Sequence, residues 1–92
     1  MRFQYARIKS ETLRNNPKRG IDFEKAQEIF TRPYYQDERA DDQEQRRVIG
    51  WVGGRLYTLI CEDRKDGLGE YYYLVTLWRS TREERELYEA KS

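Results

Sequence analysis

The chain has 92 residues, 37% of them hydrophobic, and its 18 Lys and Arg against 17 Asp and Glu leave a net charge of +1. That length predicts one domain over residues 1–92 with a thin stability margin, because a chain this small buries only about 60–70% of the surface it exposes when unfolded. With no histidine and one cysteine, a His-based nucleophile triad is excluded, a zinc site lacks its usual ligands, and the near-neutral charge leaves any nucleic-acid binding to a local arrangement of Arg and Lys.

Eight tyrosines, three phenylalanines and two tryptophans argue for an ordered domain with a recognition surface, since disordered chains are poor in aromatics and Tyr is enriched at interfaces. Lone Cys61 lies in an apolar run and reads as a small core residue. The N-terminus turns polar by residue 4 and no stretch is long enough to span a membrane, so the expectation is a cytoplasmic protein with no membrane association.

In chain order, "RFQYA" (2–6) alternates polar and aromatic residues and predicts a short edge strand. Residues 8–15 follow as a helix with a thin apolar face, stopped at "NNPKRG" by Pro17 and Gly20. "IDFEKAQEIF" is the clearest helix: Asp22 is placed to cap it, and Phe23, Ala26, Ile29 and Phe30 make one apolar stripe before Pro33. In "RPYYQDERADDQEQ" the two tyrosines predict a short strand, followed by a charged loop or frayed hairpin end. Three strong strands come next, "RRVIGWV", "RLYTLICE" and "YYYLVTLW", joined by turns at Gly53-Gly54 and Asp66-Gly67. Alternation along the last places Tyr71, Tyr73, Val75 and Leu77 on one face and Tyr72, Leu74, Thr76 and Trp78 on the other. The C-terminal helix starts at a capping box, Thr81-x-x-Glu84, with Ser80-x-x-Glu83 as a shifted alternative. The predicted class is α+β: a three-strand antiparallel meander plus an N-terminal edge strand, two N-terminal helices and a C-terminal helix.

Four separated segments resemble the BrnT toxins, small relatives of the RelE-type ribonucleases of type II toxin–antitoxin pairs. They are "FQYARIK" with Phe3, Tyr5 and Lys9, the stretch from Asn15 to Ala26, Val48 to Gly50, and "TREERELY" from Thr81 to Tyr88. The resemblance implies a RelE-like helix-decorated antiparallel sheet, RNA cleavage that stops translation, neutralisation by a ribbon-helix-helix antitoxin, and contact with operator DNA only through the antitoxin complex. Departures from the family pattern are Ala6 for an acid, Arg19 for the His before Gly20, two extra residues between Lys9 and Asn15, and Gln45, Thr76 and Trp78 at the usual places of Arg, Ser and Arg.

Metal-independent cleavage by the ribose 2′-hydroxyl needs that hydroxyl deprotonated, the phosphorane charge held and the leaving oxygen reprotonated. Arg and Lys hold such charge, at roughly 2.7–4 kcal/mol per preorganised donor, and a carboxylate, Lys or Tyr moves the proton. The catalytic candidates are Arg46, Arg47, Arg79 and Tyr88, with Glu84 as the junction's capping acid. Lys18, Arg19, Trp78 and Arg82 are the RNA-binding candidates, Trp78 by base stacking at about 1–3 kcal/mol per base. Each has a plainer reading: Arg79 as a solvent-facing cation, Arg82 paired with neighbouring glutamates, Tyr88 packing its helix down, and Lys18 and Arg19 in a solvated loop. No metal and no cofactor is implied. The alternative function is a non-catalytic relative that binds an antitoxin-like DNA-binding partner and tunes repression, which the residues at positions 6, 45 and 78 favour.

Overall fold

A computed structural model describes residues 2–39 and 41–91, with Asp42 and Gln43 described by their backbone alone. Ala40, in the expected frayed hairpin end, lies outside the described residues. In chain order come β1 (Arg2–Tyr5), α1 (Arg7–Asn15), α2 (Phe23–Ala26), a 3-10 segment (Gln27–Thr31), β2 (Tyr35–Arg39), β3 (Asp42–Val52), β4 (Arg55–Asp66), β5 (Gly69–Arg79) and α3 (Arg82–Lys91). The strands form one sheet in the order β1-β5-β4-β3-β2. No helix among the described residues is long and apolar enough to cross a membrane.

The α+β class stands, and the sheet departs from the expected one in three ways. First, β1 runs parallel to β5, so the sheet is mixed. Alternation in "RFQYA" places Phe3 and Tyr5 on one face whichever way the strand runs, and direction is not legible from it. Second, the polar segment Tyr35–Arg39 is a full edge strand, antiparallel to β3. Its cross-strand pairs, Asp37 with Arg47 and Glu38 with Arg46, set opposite charges side by side, which supports a strand that buries little. Third, the register of β4 with β5 shifts between Ile60↔Thr76 and Cys61↔Leu74, leaving Val75 as an extra residue. This bulge exchanges the expected faces from Thr76 onward: Tyr72, Leu74 and Leu77 now share the core face, and Tyr71, Tyr73, Thr76 and Trp78 share the opposite one.

The core face carries Val48 and Val52 of β3, Leu59 and Cys61 of β4, and Leu74 and Leu77 of β5. Leu13, Phe23, Ala26 and Ile29 cover it from the helical side. Asp22 caps α2 as expected, its Oδ1 accepting the Lys25 N–H at 2.9 Å. The expected ten-residue helix is a single α turn that tightens into 3-10 over Gln27–Thr31. The tightening still keeps Phe23, Ala26 and Ile29 buried on the sheet. Ser10, buried on α1, accepts the Phe23 N–H at 3.0 Å and ties the two helices. Burial pushes the Cys61 thiol up to about 11, in keeping with a core residue.

Gly53 and Gly54 both take positive φ, 57° and 83°, the type I′ geometry that a two-residue hairpin needs. Gly50 matters for closeness instead: a Cβ there meets Ile29 Cγ1 at 2.7 Å and Tyr34 Cβ at 3.3 Å. Gly50→Ala is therefore expected to lower unfolding stability by about 1–3 kcal/mol, the usual cost of overpacking. Urea denaturation followed by tryptophan fluorescence reads this directly, and an unchanged midpoint contradicts it.

Candidate functional site

The face opposite the core is built around the junction of β5 and α3. Glu84, 6% exposed, closes the expected capping box: its backbone N–H donates to Thr81 Oγ1 at 3.2 Å, and its Oε1 accepts the Thr81 N–H at 2.9 Å. The same Oε1 also accepts the Trp78 indole Nε1–H at 2.9 Å. The second oxygen, Oε2, faces Arg47 Nη1 at 3.8 Å. Ser80, the alternative cap, instead shares a 2.8 Å hydrogen bond with the buried Thr58 hydroxyl. One carboxylate thus links the helix start, the strand end and a cation on β3.

Arg47 is held from the other side by Asp37 of β2, with Nε donating to Oδ1 at 2.9 Å and Nη2 to Oδ2 at 2.5 Å. Tyr35 donates its hydroxyl to the same Oδ2 at 2.9 Å. Burial opposes charge on Asp37, but the hydrogen bonds from Arg47 and Tyr35 outweigh it and hold the carboxyl below its ordinary value of 3.8. The Asp37 hydrogen bond in turn raises both the Arg47 guanidinium and the Tyr35 phenol. Asp37 was not among the sequence candidates: the signal that reveals it is its register opposite Arg47, which needs the β2–β3 pairing.

A groove of about 410 Å³ opens over this network. Asp37, Glu38, Asp41 and Glu84 line it against Arg39 and Arg47, together with Ile60 and Trp78. Four carboxylates against two guanidiniums give the lining a formal balance of −2. Such a lining repels free phosphate unless Arg47 is first released from its carboxylates.

The structure brings together some of the sequence candidates and separates others. Arg47, Trp78 and Glu84 meet in the groove. Tyr88 lies on the same side, where its ring meets Trp51 edge-on at 6.4 Å and its hydroxyl donates to the Pro33 carbonyl at 3.3 Å. Arg46 points to the core face, where it pairs with Asp63, donates to Gln36 at 2.8 Å and lies 5.2 Å over the Tyr72 ring. Consecutive strand residues cannot share a face, so Arg46 and Arg47 cannot act on one phosphate. Arg79 registers opposite Tyr57 and so also projects from the core face, at an exposed strand end. Lys18 and Arg19 lie in the turn after α1, and Arg82 is a surface residue 3.5 Å from Glu86. Gln45, at the place of the expected Arg, donates to Glu62 at 3.0 Å. Among the described residues no group of three or more His, Cys, Asp and Glu side chains could hold a metal ion.

Glu84→Ala leaves the Thr81 N–H and the Trp78 indole without their acceptor and removes one of the two carboxylates beside Arg47. The expected loss is about 1–3 kcal/mol of stability, measurable by denaturant titration, and Glu84→Gln is expected to lose less because it keeps an acceptor oxygen. The Asp37 carboxyl lies below its ordinary 3.8 in the folded chain. Its contribution is therefore fully present above that pH and disappears as pH falls through the lowered folded value. Asp37→Asn is thus expected to narrow the stability gap to wild type as the solution is acidified past this point, and a gap constant with pH contradicts the pairing.

No protein-family model and no curated protein matches the chain.

Proposed function

We propose that this chain is the toxin-type subunit of a type II toxin–antitoxin pair, a BrnT-like domain of the RelE-like class, held by a ribbon-helix-helix antitoxin. The observation that carries this reading is where the four resembling segments fall. Phe3 and Tyr5 pack against the core, and Asn15–Ala26 forms the turn and cap joining α1 to α2. The Ile49-Gly50 step lies under Ile29, and Thr81–Glu84 makes the capping box at the junction. These are the points that hold the fold together, so the resemblance follows the architecture and not only the surface.

Of the two forms of this function, the non-catalytic one has the better geometric support. Gln45 and Trp78 stand where arginines are expected, Arg46 faces the core side, and Arg47 is engaged by Asp37 and Glu84. In this form the chain binds its partner and tunes repression without cutting RNA. The ribonuclease form has one observation in its favour: Arg47 and Trp78 line the groove, and Tyr88 lies on the same face of the sheet outside that lining. For cleavage there, an RNA phosphate must displace Asp37 from Arg47 while Trp78 supports a base and Tyr88 assists proton transfer; Arg79, on the other face, can reach the RNA only away from the groove.

Induction of the chain alone in a bacterial host, with mapping of RNA 5′ ends, separates the two. The binding form predicts normal growth and unchanged ends while the chain stays soluble and folded. Both forms predict a stable complex with a ribbon-helix-helix protein encoded beside it, so the RNA ends and growth, not the complex, separate them. New ends with growth arrest, abolished in an Arg47→Ala, Arg79→Ala, Tyr88→Ala variant, establish the ribonuclease instead.

A further inference from the structure

Charge on this molecule is segregated. The groove beside Glu84 has an acidic lining, while the opposite face carries, at the end where β4 starts and β5 finishes, cations that make no ion pair among the described residues. Arg55 and Tyr57 are two residues apart on β4 and so share the core face, and Arg79 of β5 registers directly opposite Tyr57. Arg55 and Arg79 are then diagonal neighbours, a relation that places side chains about 7–8 Å apart at their bases. Tyr57 also donates its hydroxyl to the Arg19 carbonyl at 2.9 Å, which latches the turn carrying Lys18 and Arg19 onto the same strand end.

The turn is itself ordered before any ligand arrives. Asn16 accepts the Lys18 N–H on its side chain at 2.9 Å, and its carbonyl accepts the Arg19 and Gly20 N–H groups at 3.0 and 2.8 Å. Lys18, Arg19, Arg55 and Arg79 make no ion pair among the described residues. Lys25, which reaches towards Gly53 at the same end, is neutralised by Glu28 at 2.8 Å. Folding has brought four unpaired cations from three separate parts of the sequence to one place, although the whole chain is nearly neutral.

We infer that this basic end is a binding surface for the phosphate backbone of a DNA duplex. The ring beneath the patch, Tyr57, is 3% exposed and its hydroxyl is engaged. The patch therefore neutralises phosphates but offers no ring for stacking bases. That suits a duplex, whose bases are already stacked, over a single strand, whose binding relies on aromatic platforms. The contact is independent of base sequence, and it lies on the sheet face away from the groove, so it leaves the groove open to a protein partner. It requires neither a partner nor RNA cleavage.

The test is fluorescence anisotropy of the full chain, alone, with a labelled 20-base-pair DNA duplex of arbitrary sequence across a salt series. Four neutralised phosphates predict a slope of log K against log salt of about −3.6. Lys18→Gln, Arg55→Gln and Arg79→Gln are each expected to lessen its magnitude by about 0.9. Lys65→Gln, the same charge change at the far end of β4, is expected to leave it unchanged. Tyr57→Phe keeps every charge but frees the turn, and is expected to weaken duplex binding with the slope nearly kept. Absence of duplex binding at low salt overturns the inference, as does an unchanged slope in folded charge variants. Tighter binding to a single-stranded RNA or an RNA duplex of the same length overturns it too. Since the assay contains no antitoxin and reads no cleavage, its failure is separate from failure of the proposed function.

Discussion

One extra residue in β5 determines what each side of this sheet can do. Strict alternation from Tyr72 through Trp78 puts Leu74 and Trp78 on the same face, which leaves Leu77 outside. The bulge at Val75 breaks that alternation, so Leu74 and Leu77 both enter the core while Trp78 turns to the other side. Only there can the indole reach Glu84. A bulge of this kind re-aims side chains at the cost of local pairing, and here the return is a complete core together with a polar junction on the reverse face.

The junction then decides how α3 is held. Its apolar supply is thin, and it docks through Glu84 and Tyr88 more than through a hydrophobic stripe. The Glu84 carboxylate accepts hydrogen bonds from Trp78 and Thr81 and faces Arg47 at 3.8 Å, and a buried carboxylate engaged in this way is costly to disturb. The network continues through Arg47 to Asp37 and Tyr35, so the edge strand β2 and the C-terminal helix are coupled across β3. A ligand that competes for Arg47 must therefore loosen contacts at both ends. This gives physical content to the contrast between the two forms of the proposed function: a partner that reads the surface leaves the network intact, whereas RNA cleavage needs it opened.

Opposite charge characters on the two faces follow from the same topology. Cross-strand pairing consumes Arg46 and Arg47 against acids of β2 and β4, while Arg55 and Arg79, at the strand ends, have no acidic neighbour across the ladder. A nearly neutral composition is thereby divided into an acidic groove and a basic end, and neither is visible in the net charge.

By itself the sequence determined the α+β class, the first helix with its stop before Pro17 and Gly20, the Gly53-Gly54 hairpin, the Asp22 cap with the turn it starts, and the Thr81–Glu84 capping box. These depend on local chemistry within a few residues: φ constraints, short-range hydrogen bonds and apolar periodicity. Tertiary structure alone decided the parallel direction of β1, the polar strand β2, the Val75 bulge, and which arginines meet which carboxylates. Period-2 alternation carries no strand direction, and a single inserted residue leaves no compositional trace. The partners of Arg47 lie 10 and 37 positions away in the chain, a relation that only register and packing create.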